Sequence, residues 1–382
     1  MNKPTGDMVQ VHMLTAYPAS LLNRDDAGLA KRIPFGGVSR TRVSSQCLKK
    51  HWREAAQLTA VGDAAVRSTR VYERLVAEPL MGRGASEEEA VAIAKWLMSE
   101  TVDTKPTAKE KGLASAQSSQ LLVLTKAETD FLAETATKML EDLTARGVAI
   151  TEAALAKEPK LIDRALKESL RALPASIDTA LFGRMVTSDL FARVDAAVSV
   201  AHAFTTHAEA SETDYFTAID TLKGAEDDAG AGLIQDTELT SGVFYLYVVI
   251  DMNQLKTNLV GFDSSVAEQL AANLVEAMAT VTPSAKRGST APFSYAEFVM
   301  TERGSAQPRT LANAFLQPVP TTGAALMPAS VGALFSHSGR LEAMYGDLGF
   351  KKNVASIHGL PEAAPAAVSF FDLLARTFRI SA

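Results

Sequence analysis

A long block of helical sequence interrupts a chain whose other segments have the patterns of β-strands. From about Val61 to Pro174 nearly every segment has helical character, including 86–100, 127–146 and 151–173. Ser86 and the three glutamates after it are typical of a helix start, because a short polar side chain caps free amides and acids interact favourably with the helix dipole. The block therefore predicts a helical insertion in an α+β fold.

Strand-like segments lie on both sides of this block. Apolar and polar residues alternate in 9–15, and 38–43 is a second extended candidate. Segments 177–181, 196–206 and 296–302 are also predicted to be extended, and 242–251 is the richest in β-branched and aromatic residues. Helices are predicted from Ser44 or Ser45 to about Leu58 and over 264–282. This order predicts a ferredoxin-like or RNA-recognition-motif-like sheet with helices on one face.

A second excursion, 209–239, is acidic and rich in small residues, with GAEDDAGAG at 224–232. Its composition predicts an exposed loop or a long hairpin. Within it, Tyr215, Phe216 and Thr217 place aromatic rings in a polar setting. Such rings suit stacking on bases or docking on a partner, or else they form a small cluster that pins the loop.

The composition is that of an ordinary globular protein and argues against a membrane-spanning one. The 382 residues are 47% hydrophobic and 21% charged, and no window offers the roughly 20 apolar residues of a membrane span. The first residues lack the pattern of a signal peptide. Cys47 is the single cysteine, so an internal disulfide cannot form, which suits a reducing compartment. We expect a cytoplasmic protein that does not contact membranes.

The charge is distributed unevenly. The chain has a net charge of -6, yet from Arg24 to Arg53 there are eight lysines and arginines and only two acids. Lys49 and Arg53, four residues apart, share one helix face. Ser44, Ser45 and Gln46 at the start of that helix would offer free amides to an anion. The segment predicts an anion-binding surface, with a merely solvated helix face as the alternative.

Catalytic and cofactor motifs are absent from the sequence. It contains no phosphate-binding glycine loop and no nucleophile-elbow motif. Adjacent Asp25 and Asp26 could serve a nuclease as metal ligands, although adjacent acids in a loop more commonly form turns. The pairs Cys47–His51 and His202–His207 have no further ligands at metal-site spacing. We predict no metal and no cofactor, and Cys47 as a small buried residue.

Several motifs together resemble one family. They are LNRDD at 22–26, FGG at 35–37, RTRVSSQCLKK at 40–50, GRMVTS at 183–188, VDAAVSVAHAFTTH at 194–207, DYFTAID at 214–220, SGVFYLY at 241–247, AKR at 285–287 and LANAF at 311–315. With these motifs in this order, the chain resembles the CasC-type backbone subunit of Cascade, the type I-E CRISPR surveillance complex. This subunit belongs to the RAMP superfamily. The last 65 or so residues match poorly.

The resemblance implies a hand-shaped chain in antiviral defence. Its palm would be a modified RNA-recognition-motif sheet built from 1–60, 177–208 and 241–382, with helical fingers at 61–176 and a thumb hairpin at 209–240. Copies would stack helically along one CRISPR RNA, beside other Cascade subunits, and would present bases to target DNA without catalysing a reaction.

The resemblance also assigns roles to residues. Met185, which would otherwise be plain core filler, would wedge between bases, and the thumb would kink out one nucleotide at a regular interval. Further RNA contacts would come from Arg24, Lys31, Ser44, Gln46, Lys49, Lys50, Arg53, Phe216, Thr217, Lys286 and Arg287.

Two other functions remain open at this point. A metal-dependent ribonuclease would use Asp25 or Asp26, as related type III backbone subunits use an aspartate in the corresponding loop. A purely structural filament protein would instead turn its basic patch toward acidic neighbours and would assemble without RNA.

Overall fold

The computed structural model describes residues 6–102, 110–158, 164–185, 191–218, 233–283, 285–321 and 325–380. It has an α+β fold, which confirms the predicted fold class. Two compact units divide the chain. One comprises Met1–Leu58, Val198–Asn253 and Ser264–Ala382, and the other comprises Thr59–Ala197 and Gln254–Asp263. The finer division into palm, fingers and thumb stays a prediction.

The first unit is built on an antiparallel sheet. Within the described residues nine strands join it, in the order β11-β10-β1-β9-β7-β3-β2, with β6 and β8 also paired to β9. A separate pair, β4 and β5, belongs to the second unit. The strands are β1 Met8–Ser20, β2 Arg32–Phe35, β3 Val38–Val43, β4 Val66–Ser68, β5 Leu122–Leu124, β6 Val198–Val200, β7 Ala203–Thr205, β8 Ser211–Ala218, β9 Leu233–Asp251, β10 Phe298–Gly304 and β11 Lys351–Ser356.

Thirteen α-helices lie in the described part of the chain. They are α1 Ser45–Arg53, α2 Ala56–Thr59, α3 Glu78–Met81, α4 Glu87–Thr101, α5 Lys126–Ala145, α6 Glu152–Leu155, α7 Arg164–Arg171, α8 Ile177–Phe182, α9 Met252–Asn258, α10 Ser264–Thr280, α11 Arg287–Thr290, α12 Leu326–Tyr345 and α13 Phe370–Phe378. A π-helical turn spans Glu73–Ala77, and 3₁₀ turns span Gly112–Ala116 and Ala312–Phe315. In this part of the chain no helix is long and apolar enough to cross a membrane.

The central sheet is covered on both faces, so the expectation of helices on one face is wrong. One face of β1 and β10, with Leu14, Phe298 and Met300, packs under Phe315 and α12. The other face of β10 contacts α13, where the hydroxyls of Thr301 and Thr377 hydrogen-bond at 2.7 Å. Val9, Val11 and Met13 are buried, and so are Gln10 and His12 between them. A strand whose alternation predicts one wet face is thus buried on both.

The helical block is confirmed in outline. Capping boxes at Ser86 and Thr125 start α4 and α5, because in each the third residue of the helix is a glutamate that bonds back to the cap amide. The single helix expected over 151–173 is wrong, since α6 ends at Leu155 and α7 begins at Arg164. Residues 159–163 lie outside the described part of the chain.

The strand expected over 177–181 is also wrong, because this segment forms helix α8. The Ser176 hydroxyl donates to Asp178 Oδ1 at 2.7 Å, and the same carboxylate accepts from the amide of Ala65 at 2.8 Å. These contacts favour a helical turn over the extended form that the apolar residues suggest. Ala65 is more than 100 residues away, so the local pattern could not reveal the contact.

The acidic excursion is a hairpin at its base. Strand β8 pairs with the first half of β9 from Ser211↔Thr240 to Ala218↔Leu233, and β9 then continues into the central sheet. This confirms the long-hairpin alternative for the described residues. The GAEDDAGAG segment lies in 219–232, outside them.

Candidate nucleic-acid interface

The loop before β2 is fastened to the start of α1. The amide of Lys31 donates to the Asn23 carbonyl at 2.9 Å, and Arg24 and Ala30 form an isolated bridge. The Asn23 side chain accepts from the Ser44 amide at 2.9 Å. Arg24 and Lys31 therefore lie beside the helix that carries the other predicted cations.

Helix α1 begins at the predicted cap. The Ser44 hydroxyl accepts from the Cys47 amide at 3.3 Å, so Ser44 is buried and engaged within the protein, whereas Gln46 is exposed. Leu48 and Trp52 face the core, and Lys49 and Arg53, each one residue further along, are half-buried at the flank of the helix. Burial, followed by the charge of Arg53, lowers the pKa of Lys49. An anion near both cations would relieve this repulsion.

Lys50 points elsewhere, since its ammonium pairs with Glu54 at 2.9 Å on the exposed helix surface. Lys31, by contrast, acts electrostatically on Cys47: burial raises the pKa of this thiol, while Lys31 and Lys50 lower it. Lys31 thus lies within electrostatic range of α1.

Sequence reasoning missed His202 as part of this surface. The Arg42 guanidinium lies 2.9 Å from His202 Nδ1. Burial, then Arg42 and Lys31, lowers the pKa of His202, so its neutral ring accepts from Arg42. The sequence signal is the AHA segment at 201–203, whose histidine is paired by spacing only with His207 as a metal candidate. We name Arg24, Lys31, Arg42, Lys49 and Arg53 the basic surface.

Two of the eight basic residues in this segment are structural. Arg40 is fully buried and donates to the carbonyls of Phe35, Thr205 and Phe315, the last at 2.7 Å. Arg32 pairs with both Glu209 and Glu238 at the base of the hairpin. The expectation that the whole segment faces an anion is therefore too broad, because charge counting cannot distinguish a cation that ties protein parts together.

Phe216 of the hairpin and Lys286, just before α11, lie together. The Lys286 ammonium donates to Thr237 Oγ1 at 2.5 Å and lies 5.9 Å from the centre of the Phe216 ring. The amide of Ala285 bonds to the Leu21 carbonyl at 3.0 Å, which brings this segment beside the strand that leads to Arg24. Arg287 instead covers the Phe293 ring at 5.0 Å. Thr217 is in β8, and its side chain lies outside the described atoms.

Met185, in the second unit, is 92% exposed, so the core-filler interpretation is wrong. Its neighbour Arg184 explains why. Arg184 is buried, pairs with Glu128 at 2.5 Å and donates to the Ala192 carbonyl at 2.6 Å. This anchor holds the turn while the next side chain projects into solvent. Residues 186–190, the end of the motif, lie outside the described part.

The Asp25 side chain stabilises the turn in which it lies. Its Oδ1 accepts from the amides of Ala27 and Leu29, both at 3.0 Å. Cys47 and His51 are likewise engaged locally, since His51 Nδ1 lies 2.8 Å from the Cys47 carbonyl. In the described residues no group of three or more His, Cys, Asp or Glu is placed to hold a metal ion. The arrangement at this surface is one of cations suited to bind phosphates.

Comparison with known proteins identifies a protein family and two solved structures that this chain resembles. The family model described as CT1975-like protein matches residues 9–373. A chain of a solved "CRISPR RNA-guided surveillance complex, pre-nicking" is 26% identical, with a TM-score of 0.84 over 97% of this chain and 100% of that one. A chain of a second "CRISPR RNA-guided surveillance complex" is 23% identical, with a TM-score of 0.73 over 97% and 99%. The second likeness concerns the fold alone.

No curated protein sequence matches the chain. The family and structural matches confirm the relationship that the motifs predicted, whereas assignment to type I-E stays a prediction. With the match extending over nearly all of its length, the chain belongs to the CT1975-like protein family.

Proposed function

We propose that this protein is a non-catalytic subunit that binds CRISPR RNA along its sugar–phosphate backbone in RNA-guided defence. The observation that carries the proposal is the basic surface, where Lys49 and Arg53 lie one turn apart on α1, and where burial, followed by the charge of Arg53, lowers the pKa of Lys49. Such a pair is stabilised by a phosphate, whatever the base attached to it.

Backbone binding suits a subunit that must accept any guide. Base edges left free can pair with target DNA, so recognition of sequence is delegated to base pairing. Phe216, 38% exposed beside Lys286, offers a ring for a base displaced by the thumb, and the projecting Met185 is shaped to enter a gap between bases. Copies of the chain would follow the RNA in a helical stack, next to other subunits.

The test is RNA affinity measured over a range of salt concentrations. Replacing Lys49 and Arg53 together by alanine should weaken binding about equally for unrelated RNA sequences. The slope of log affinity against log salt should fall by about 1.4, because each phosphate contact to a single strand contributes about 0.7. A matched control is Arg83→Ala with Lys138→Ala, two exposed cations of the second unit that have no ion-pair partner among the described residues.

Two results would contradict the proposal. A loss confined to particular RNA sequences would mean that bases, not phosphates, are bound. Magnesium-dependent cleavage of RNA that disappears in Asp26→Asn would favour the ribonuclease alternative over a scaffold.

A further inference from the structure

Two cations lie side by side where β2 and β3 pair. The amide of Arg42 donates to the Lys31 carbonyl at 2.8 Å, and this contact extends the register in which Arg32 pairs with Thr41. Residues directly opposite each other in an antiparallel pair turn their side chains to the same face. The side chains of Lys31 and Arg42 are therefore neighbours, and Arg42 stands two residues before Ser44, the cap of α1.

His202 joins this pair from the residue just before β7. Arg42 pairs with Phe204 on the other side of β3, which brings His202, two residues earlier, within reach of the guanidinium. Arg42 Nη1 lies 2.9 Å from His202 Nδ1, and Arg42 Nε donates to the Arg32 carbonyl at 3.1 Å. The guanidinium of Arg42 is thus held at two points, and His202 supplies one of them.

The contact with Arg42 fixes which nitrogen of His202 carries the hydrogen. A guanidinium has donors and no acceptor, so Nδ1 of His202 is the acceptor. A neutral imidazole then carries its hydrogen on Nε2. Burial, followed by the charges of Arg42 and Lys31, lowers the pKa of His202, which favours this neutral form.

Three neighbouring donors have no hydrogen-bond or ion-pair partner among the described residues. They are the ammonium of Lys31, the Nη2 group of Arg42 and the Nε2–H of His202. The His202 side chain is exposed, and those of Lys31 and Arg42 are partly exposed. Donors grouped in this way suit a ligand whose polar atoms are acceptors, and the oxygens of a phosphodiester meet that requirement.

We propose that Lys31, Arg42 and His202 form one phosphate site of the RNA path, in which His202 binds as a neutral donor. Its Nε2–H donates to one phosphate oxygen, and its Nδ1 positions Arg42 for another. The inference rests on the proposed function, because the phosphate belongs to the RNA backbone. A nearby phosphate ordinarily favours a protonated ring, but protonation here would set an N–H of His202 against an N–H of Arg42. The histidine therefore adds affinity without adding charge.

The salt dependence of RNA binding distinguishes a neutral donor from a cation. A cation on a phosphate of a single strand contributes about 0.7 to the slope of log affinity against log salt, whereas a neutral donor releases no counterion. His202→Asn keeps an acceptor near Arg42 but removes the Nε2 donor. At pH 7.5 it should lower RNA affinity roughly tenfold with an unchanged slope. Arg42→Ala should lower both the affinity and the slope.

Two further variants complete this set. His202→Ala removes the donor and also releases Arg42, so it should weaken RNA binding more than His202→Asn does. His337→Asn is the matched control, because His337 of α12 has no hydrogen-bond partner among the described residues. It should bind RNA as the wild type does.

Nitrogen-15 NMR of the imidazole gives a readout that a merely structural histidine would not change. At pH 7.5 the His202 ring should carry hydrogen on Nε2 and none on Nδ1, both in the free protein and in the RNA complex. Binding of RNA should shift the resonance of the His202 Nε2–H group.

Failure of the wild type to bind RNA would contradict the proposed function alone. The site would then be tested with inorganic phosphate. Phosphate should shift the His202 Nε2–H resonance in the wild type but not in Lys31→Ala with Arg42→Ala, and an unchanged resonance in the wild type would refute the site.

Three results with RNA would overturn the inference. His202→Asn that binds like the wild type would show that the ring does not contact RNA. A slope lowered by about 0.7 in His202→Asn would mean that the ring binds as a cation. Hydrogen on Nδ1 of His202 in the complex would contradict its role in positioning Arg42.

Discussion

At the scale of single residues, buried polar groups shape the central sheet. His12 is fully buried, with Nδ1 2.8 Å from the Tyr245 hydroxyl and Nε2 3.3 Å from Glu302. Burial lowers the pKa of His12, although the Glu302 carboxylate opposes this effect. Burial by itself would raise the pKa of Glu302. Hydrogen bonds from His12 and Arg309 outweigh burial and lower the pKa of Glu302 to about 2. The ring is therefore neutral: it accepts from Tyr245 and donates to Glu302.

This state predicts a pH-dependent stability. The unfolded chain takes up a proton on His12 near its ordinary pKa of 6.5, and the folded chain does not. Between pH 7.5 and 5.5 this difference should lower the free energy of unfolding by about 1.4 kcal/mol, and His12→Gln should remove that part of the decrease. Urea denaturation at the two pH values measures it. His202→Gln, on the exposed surface, should keep most of the wild-type decrease. An equal decrease in His12→Gln would mean that His12 is charged in the folded protein.

His207 shows how a motif residue can serve the fold. Its Nδ1–H donates to the Ala208 carbonyl at 2.6 Å, and its Nε2 accepts from the Val243 amide at 3.3 Å. A Cβ at Gly242 would lie 2.2 Å from that Nε2, so only glycine fits. The AHAFTTH and SGVFY motifs therefore meet in one strand junction, which accounts for a histidine that spacing alone could not explain.

At the scale of elements, the hairpin of β8 and β9 depends on contacts at its base. A two-stranded ribbon by itself is marginally stable in water. Arg32 joins Glu209, just before β8, to Glu238 in β9, and Glu238 also accepts from the Ala30 amide at 2.6 Å. Arg32 thereby ties the hairpin to the loop that carries Arg24 and Lys31.

Removing this tie should loosen the hairpin selectively. Arg32→Ala leaves the mostly buried Glu238 without its guanidinium partner, which should cost about 1–3 kcal/mol of local stability. Backbone amides of Ser211–Ala218 should then exchange with deuterium roughly 10- to 100-fold faster. Arg24→Ala removes an exposed cation of the same loop and should leave exchange unchanged. Equal rates in the two variants would show that Arg32 does not position the hairpin.

At the scale of the whole molecule, an acidic chain carries a local basic surface. The net charge is -6, whereas eight lysines and arginines and only two acids lie from Arg24 to Arg53. A local positive potential of this kind attracts polyanions to one region, while the acidic remainder of the surface repels them. Defined binding of RNA, rather than general wrapping of nucleic acid, is the expected behaviour.

Coexpression with neighbouring subunits and a CRISPR array tests that behaviour. The purified assembly should have an absorbance ratio at 260 and 280 nm typical of a ribonucleoprotein, and sequencing should recover RNA of uniform length that contains spacers. A nuclease-treated sample that remains assembled at the same size would favour the structural-filament alternative. Assembly with RNA of random length and sequence would contradict a guide-specific scaffold.

Much of the chain was predictable because the signals are local. Capping boxes at Ser86 and Thr125, alternation in β1 and the β-branched run of β9 depend on neighbours within a few residues. Motif order predicted the family. Charge clustering predicted the cations on and beside α1, and their binding of an anion stays a prediction. The four-residue spacing of Lys49 and Arg53 predicted that both lie on one face of α1.

The sequence by itself determined the α+β class, the helical block and the approximate position of the basic surface. The tertiary structure alone decided that Arg40 is buried on carbonyls and Arg32 fastens a hairpin, that 177–181 is helical, and that both sheet faces are covered. The physical reason is distance along the chain. A helix cap or a strand period is set within one or two turns, whereas Arg40 meets the Phe315 carbonyl and Arg32 meets Glu238 only after the sheet has formed.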